Sequence, residues 1–140
     1  MDIETTRSRG VCVLALAGRL SVGDGVEVLR RRFADLLDGG DLRIVLDLSR
    51  LDHIDSAGIG ELVACAKRSE AKNAVIRLAV REGTAAARVL GLTHIDRMFD
   101  VYPTAEDAVG IPPGLERRHN RAHGGLVPPS VDAWGQRDLG

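Results

Sequence analysis

Aromatic residues are scarce in this chain, with one Trp, one Tyr and two Phe among 140 residues, so there is little to line a substrate pocket. Only two cysteines are present. Cys12 and Cys65 sit in apolar stretches without the His or Cys neighbours at close spacing that a zinc site or a redox pair needs, and both read as small core residues. Neither sign of charge dominates. The 19 Lys and Arg against 20 Asp and Glu leave a net charge of −1, so no general attraction to nucleic acid or to anionic lipid is expected. No run approaches the roughly 18 apolar residues of a membrane-spanning helix. The first residues also lack the basic region, apolar stretch and cleavage site of an export signal. The expectation is a soluble, cytoplasmic protein. Also missing are a Walker A sequence, a G-x-S-x-G elbow, H-E-x-x-H and a calcium-binding loop.

What is present is an average globular composition, 44% hydrophobic and 28% charged. At roughly 100 to 200 residues per domain, the length allows one domain and a tail. A chain of this size buries about two-thirds of its surface on folding, enough to fold unaided. A break falls near Gly110, because four of the five prolines (Pro112, Pro113, Pro128, Pro129) lie beyond it, where apolar residues lose any period. Residues 1–110 are therefore expected to form the domain and residues 111–140 a disordered tail. Trp134 stands alone among polar residues there, which suits either an idle tail or a short docking peptide.

Within the domain, Ile3 to Ser8 and Val11 to Ala17 flank Arg9-Gly10 as a hairpin, and the second strand is apolar on both faces. Val26, Leu29, Phe33, Leu36 and Leu37 form a helical stripe stopped by Gly39-Gly40, with Arg30, Arg31 and Arg32 as a solvated face beside it. Arg43 to Leu48 reads as an inner strand covered on both sides. A second helix starts at Ser56 with Ile59, Leu62, Val63 and Ala66 as its apolar face. Val75 to Val80 is a strand, Thr84 to Leu90 a helix with Gly91 just past its end, Phe99 to Tyr102 a short strand and Thr104 to Val109 a last helix. Alternating strands and helices predict an α/β fold, a mixed sheet with helices packed on it.

Candidate chemistry is sparse. Gly23-Asp24-Gly25 lacks the third glycine of a dinucleotide fingerprint. Asp47, Asp52 and Asp55 could be drawn together as a magnesium site, but such residues equally serve to shape loops. His53, Asp55 and Ser56 are too close in sequence to take up the geometry of a hydrolytic triad. The informative segment is Leu51 to Leu62, L-D-H-I-D-S-A-G-I-G-E-L. Asp55-Ser56, directly after an inner strand and before an amphipathic helix, reads first as an N-cap accepting the orphan N–H groups of the first turn. Capping leaves Gly58 and Gly60 unexplained, since each costs the helix about 1 kcal/mol relative to Ala. Glycines there clear space beside a serine at a helix start, a place suited electrostatically to a phosphate.

At this point the sequence resembles a known family, the STAS domain of bacterial anti-sigma factor antagonists, over roughly residues 3–109. The strongest part is I-V-L-D-L-S-R-L-D-H-I-D-S-A-G-I-G-E-L, Ile44 to Leu62, with support from G-R-L-S-V-G-D-G (Gly18 to Gly25) and from Arg88 to Tyr102. The resemblance implies a STAS-like mixed sheet and a phosphoacceptor at Ser56, with Asp55, Gly58, Ile59 and Gly60 in matching motif positions. It further implies a partner-facing surface formed by Ser21, Asp24, Asp55, Ser56, Ala57, Gly58, Ile59, Gly60 and Glu61. Three departures stand out. Ser21 replaces a frequent acidic residue, Ala71-Lys72-Asn73-Ala74 replaces a frequent glycine pair, and Glu61 occupies a position that is often apolar.

By the same resemblance, the unphosphorylated protein binds an anti-sigma factor that is also a serine kinase and so releases the sigma factor; phosphorylation of Ser56 ends the binding. A PP2C-type phosphatase is implied as the resetting enzyme. The chain itself is expected to be no enzyme, to need no cofactor or metal, to bind neither nucleic acid nor membrane, and to be a monomer. The rival reading keeps the fold but makes Ser56 a mere cap, in a constitutive interaction module such as a transporter-regulatory or scaffold subunit.

Overall fold

In a computed structural model of the protein, residues 1–110 are described. They form β1 (Asp2–Ser8), β2 (Val11–Leu20), α1 (Val26–Asp38), β3 (Arg43–Ile54), α2 (Ser56–Ala71), β4 (Val75–Ala79), α3 (Ala85–Thr93), a 3₁₀ turn (Ile95–Met98), β5 (Asp100–Tyr102) and α4 (Ala105–Val109). The expected disordered tail lies outside the described residues.

The five strands lie in sequence order, β1-β2-β3-β4-β5, with β1 antiparallel to β2 and the other neighbours parallel. That order decides where the helices go. Three successive parallel crossovers step in the same direction, and a right-handed crossover has to return over the same face each time. Accordingly α1, α2 and α3 share one face with Cys12, Leu14, Leu16, Ile44, Leu46, Leu48 and Leu78 of the sheet. The opposite face, with Val11, Val13, Val45, Val75, Ala79 and Tyr102, packs with Ala108 and Val109 of α4. Alternation along β2 and β3 thus feeds two cores, which explains their unbroken apolar runs. Both cysteines are fully buried, as expected.

The five-residue stripe of α1 is buried as the spacing predicts. Several boundaries differ from the expectation; β2 runs to Leu20 rather than ending at Ala17. β3 runs on to Ile54 through the polar residues Ser49, Arg50, Asp52 and His53 because β2 continues beside it, pairing Arg50, Leu51, His53 and Ile54 with residues 17–20. One extra residue of β3 is accommodated between the Ala15–Asp47 and Ala17–Arg50 pairs. There the Asp47 carboxylate accepts the Ser49 N–H at 3.1 Å. In α3 the left-handed terminal residue is His94 (φ 61), three residues beyond Gly91. At the end of α2, Asn73 takes the left-handed conformation (φ 59), the turn that a glycine would otherwise make.

Candidate functional site at the start of the second helix

The parallel crossovers bring the N-termini of α1 and α2 together at the carboxyl ends of β2 and β3. Asp55 is extended (φ −113, ψ −171) and caps α2, its carboxylate accepting the Gly58 N–H at 3.0 Å while its carbonyl accepts Ile59 N–H at 2.9 Å. Ser56, the first helical residue, is exposed. The helix is docked on β2 through Gly58. A Cβ there would fall 2.3 Å from the Leu20 carbonyl oxygen and 2.8 Å from Ile54 Cγ1. Gly60 stands on the outer side, one turn beyond Ser56, with nothing within 4 Å of the place its Cβ would take. The two glycines therefore act differently. Gly58 permits close packing inward, and only Gly60 clears space on the serine's face.

Beside Ser56 runs the loop that follows Leu20. Ser21 and Asp24 exchange backbone hydrogen bonds at 2.9 and 3.0 Å, and Asp24 accepts from the Met1 amino group at 3.2 Å with Arg19 Nε at 3.9 Å. Gly25 (φ 107) makes the turn into α1 in a conformation that L side chains avoid. Val22 projects from this loop, 75% exposed. Sequence reasoning passed over it, since a lone valine in a loop carries no periodic signal.

Of the nine residues expected on the partner-facing surface, Ser56 and Gly60 are exposed, and Asp24, Asp55, Ala57 and Ile59 are half-buried. Three are corrected. Ser21 is buried, pinning the loop through its backbone, and Gly58 is buried against Leu20. Glu61 is buried rather than at the surface, its side chain only 2% exposed. Its carboxylate accepts Arg30 Nε from α1 at 3.2 Å and Arg68 Nη1 from α2 at 2.9 Å, with Cys65 Sγ at 3.7 Å. A carboxylate enters this interior only because two guanidiniums follow it. Arg30 thus belongs to an ion cluster and not merely to a solvated face, and Arg32 reaches across to Thr5 Oγ1 at 2.7 Å. The apolar face expected for α2 is turned by part of a rotation. Its buried positions are Gly58, Glu61, Leu62, Cys65 and Ser69, while Ile59 and Ala66 are only partly covered.

Burial pushes the Cys65 thiol far above its ordinary value, with the Glu61 carboxylate adding to the effect; Cys12 is raised for the first reason. Among the described residues, no three His, Cys, Asp or Glu side chains come together as a metal site. Asp55 spends its carboxylate on the cap, and His53 sits within β3 opposite Arg19, so these two with Ser56 form no relay. None of the helices among the described residues is long and apolar enough to cross a membrane.

Residues 2–108 match the STAS domain, and the chain belongs to that family. Solved structures share the architecture. An anti-sigma factor antagonist from Mycobacterium paratuberculosis is similar at 24% identity and TM-score 0.69, covering 77% of this chain and 90% of the other. An anti-sigma-factor antagonist (STAS) domain protein from Planctomyces limnophilus is similar at 27% identity and TM-score 0.64, covering 76% and 93%. The anti-sigma factor antagonist SpoIIAA in its unphosphorylated form is similar at 19% identity and TM-score 0.57, covering 88% and 99%.

Proposed function

We propose that this protein is an anti-sigma factor antagonist whose binding is switched off by phosphorylation of Ser56. The observation that carries the reading is the exposed Ser56 hydroxyl at the first position of α2, with a neighbouring carboxylate as cap and an open surface over Gly60. The unmodified surface binds an anti-sigma factor with serine kinase activity, which displaces the sigma factor. ATP belongs to that partner, and this chain is its substrate and ligand. A PP2C-type phosphatase resets the switch.

Charge fixes the direction. A phosphoserine adds about −1.5 to −2 charges. Its attraction to its own helix N-terminus is worth only about 0.3–1 kcal/mol. A partner carboxylate about 5 Å away is opposed by roughly 3 kcal/mol per unit charge at an effective dielectric near 20, more than about a hundredfold in affinity. Repulsion at the interface outweighs attraction within the chain.

The test is phosphosite mapping on the protein isolated from its native host, together with identification of the kinase-like protein that co-purifies. Phosphate on Ser56, tight partner binding by Ser56→Ala and weak binding by Ser56→Asp are expected. Tight binding by Ser56→Asp, with Ser56 bare under all growth and stress conditions, would replace the switch by a constitutive interaction module.

A further inference from the structure

We infer that Glu61 is a positioning residue. Through Arg30 it locks α2 against α1, and so sets where Ser56 and Gly60 stand on the surface. The consequence for binding rests on the reading of Ser56 as the switch site; the lock itself does not.

The need for a lock follows from what α2 buries. α1 is held by five apolar side chains, Val26, Leu29, Phe33, Leu36 and Leu37. The longer α2 buries Gly58, Glu61, Leu62, Cys65 and Ser69, among which Leu62 is the one large apolar side chain, and adds only the partly covered Ala57, Ile59 and Ala66 against the same core. Helix registry comes from ridges of side chains seated in grooves, and a helix lined by small residues has shallow ridges. Gly58 allows α2 to approach Leu20 closely but has no side chain to resist rotation or sliding.

The buried directional contact is the carboxylate; Lys72 Nζ, at the far end of α2, also approaches Asp38 Oδ1 of α1 at 3.8 Å, but both groups are exposed and the pair holds little. Arg68 lies on the same helix as Glu61 and cannot fix α2 against anything else, whereas Arg30 crosses from α1 at 3.2 Å. A buried ion pair gives little net stability over apolar side chains of similar volume, but its geometry admits few arrangements. Glu61 follows Ser56 by five residues, about 7.5 Å along the helix axis. A rotation or slip released at Glu61 therefore carries the serine with it.

The test uses the full chain with Arg30→Met, Arg30→Lys and the triple variant Arg30→Met/Glu61→Met/Arg68→Met. Arg30→Met leaves the buried Glu61 carboxylate with Arg68 alone, so the triple variant, which removes all three charges together, separates lost positioning from the cost of an under-paired charge. Amide residual dipolar couplings report the orientation of α2 relative to β2–β4 without any partner. Arg30→Met and the triple variant are expected to shift the α2 couplings while those of the strands stay unchanged, and Arg30→Lys is expected to restore the wild-type pattern. Affinity for the anti-sigma factor recovered by pull-down should fall about tenfold in Arg30→Met.

Unchanged α2 couplings in both Met variants overturn the proposal. So does a triple variant that fails to fold where the wild type is folded, since the cluster is then an ordinary stability element. A shifted α2 with unchanged partner affinity supports the lock and counts instead against the Ser56 face as the binding surface.

Discussion

Gly58 and Gly60 are two residues apart in one helix, and alanine at the two positions should have opposite effects. On helix propensity alone each change gains about 1 kcal/mol. At Gly60 nothing lies within 4 Å of the new Cβ, so that gain stands. A melting temperature higher by about 3–6 °C follows for a domain of this size. At Gly58 the Cβ would meet the Leu20 carbonyl oxygen at 2.3 Å, Ile54 Cγ1 at 2.8 Å and Leu20 Cγ at 3.0 Å. The nearest of these is strand backbone and cannot swing aside, so the start of α2 has to retreat by about 1 Å to restore van der Waals separation. Forcing an extra carbon into a packed site typically costs about 1–3 kcal/mol. A clash with strand backbone puts the cost toward the upper end, about 2–3 kcal/mol, and with propensity gaining about 1 kcal/mol a net loss of about 1–2 kcal/mol remains. That lowers the melting temperature by about 3–12 °C. Thermal denaturation of both variants beside the wild type, followed by far-ultraviolet circular dichroism, makes the comparison. A Gly58→Ala protein melting at or above the wild type would refute the claim that α2 docks through this glycine, whatever Gly60→Ala does.

Two further outcomes can be measured on the same protein. Asp55→Ala removes the cap on the Gly58 N–H and should cost about 1 kcal/mol, whereas Asp55→Asn, an equally good cap, should stay within a few tenths of the wild type in a urea titration. Both thiols are raised above their ordinary value, chiefly by burial, so neither should react with a thiol reagent faster than the protein opens. The sign for stability follows. The native state keeps its thiol protons where the unfolded state releases them, so this contribution is fully present below the unfolded pKa of about 8.5 and declines as pH rises past it. Denaturant midpoints at pH 7 and pH 10 test this, with Cys65→Ser expected to reduce the difference.

The elements and fold class were legible because periodicity survives wherever one face meets the core: α1 shows its full stripe, and β2 and β3 show the continuous runs of strands covered on both sides. What escaped were features set by a neighbour distant in sequence. β3 reads as ending at Leu48 because S-R-L-D-H looks like a loop, yet β2 supplies partners as far as Ile54. Glu61 looks like a surface residue because a lone carboxylate on a helix usually is one; its burial depends on Arg30, 31 residues earlier in the chain. Arg68, two turns along the same helix, was the visible half of that signal. Gly58 and Gly60 could be marked as unusual from propensity, but the sequence does not say that one faces a strand carbonyl and the other open solvent.

Open parallel sheets usually bind small molecules in the crevice beyond the carboxyl ends of their strands. Here the space next to β2 and β3 is filled by Gly58 seated on Leu20 and by the hydrogen-bonded loop from Ser21 to Asp24. What remains beside β2 and β3 is a surface carrying Val22, Ser56 and Gly60 outward; the cavity of about 650 Å³ at the ends of β4 and β5, lined by Val80, Arg81, Leu90, Val101 and Pro103, has none of these three in its lining. A surface without depth offers a small ligand little burial but suits another protein, which supplies the opposing wall itself. It also suits modification. On the proposed reading, a phosphate on Ser56 would displace no core side chain and would meet the favourable end of a helix, while a partner seated over Gly60 would meet the full added charge. On that reading the position separates two effects that are coupled in most of the chain, so that a change here would be nearly neutral for folding and decisive for association.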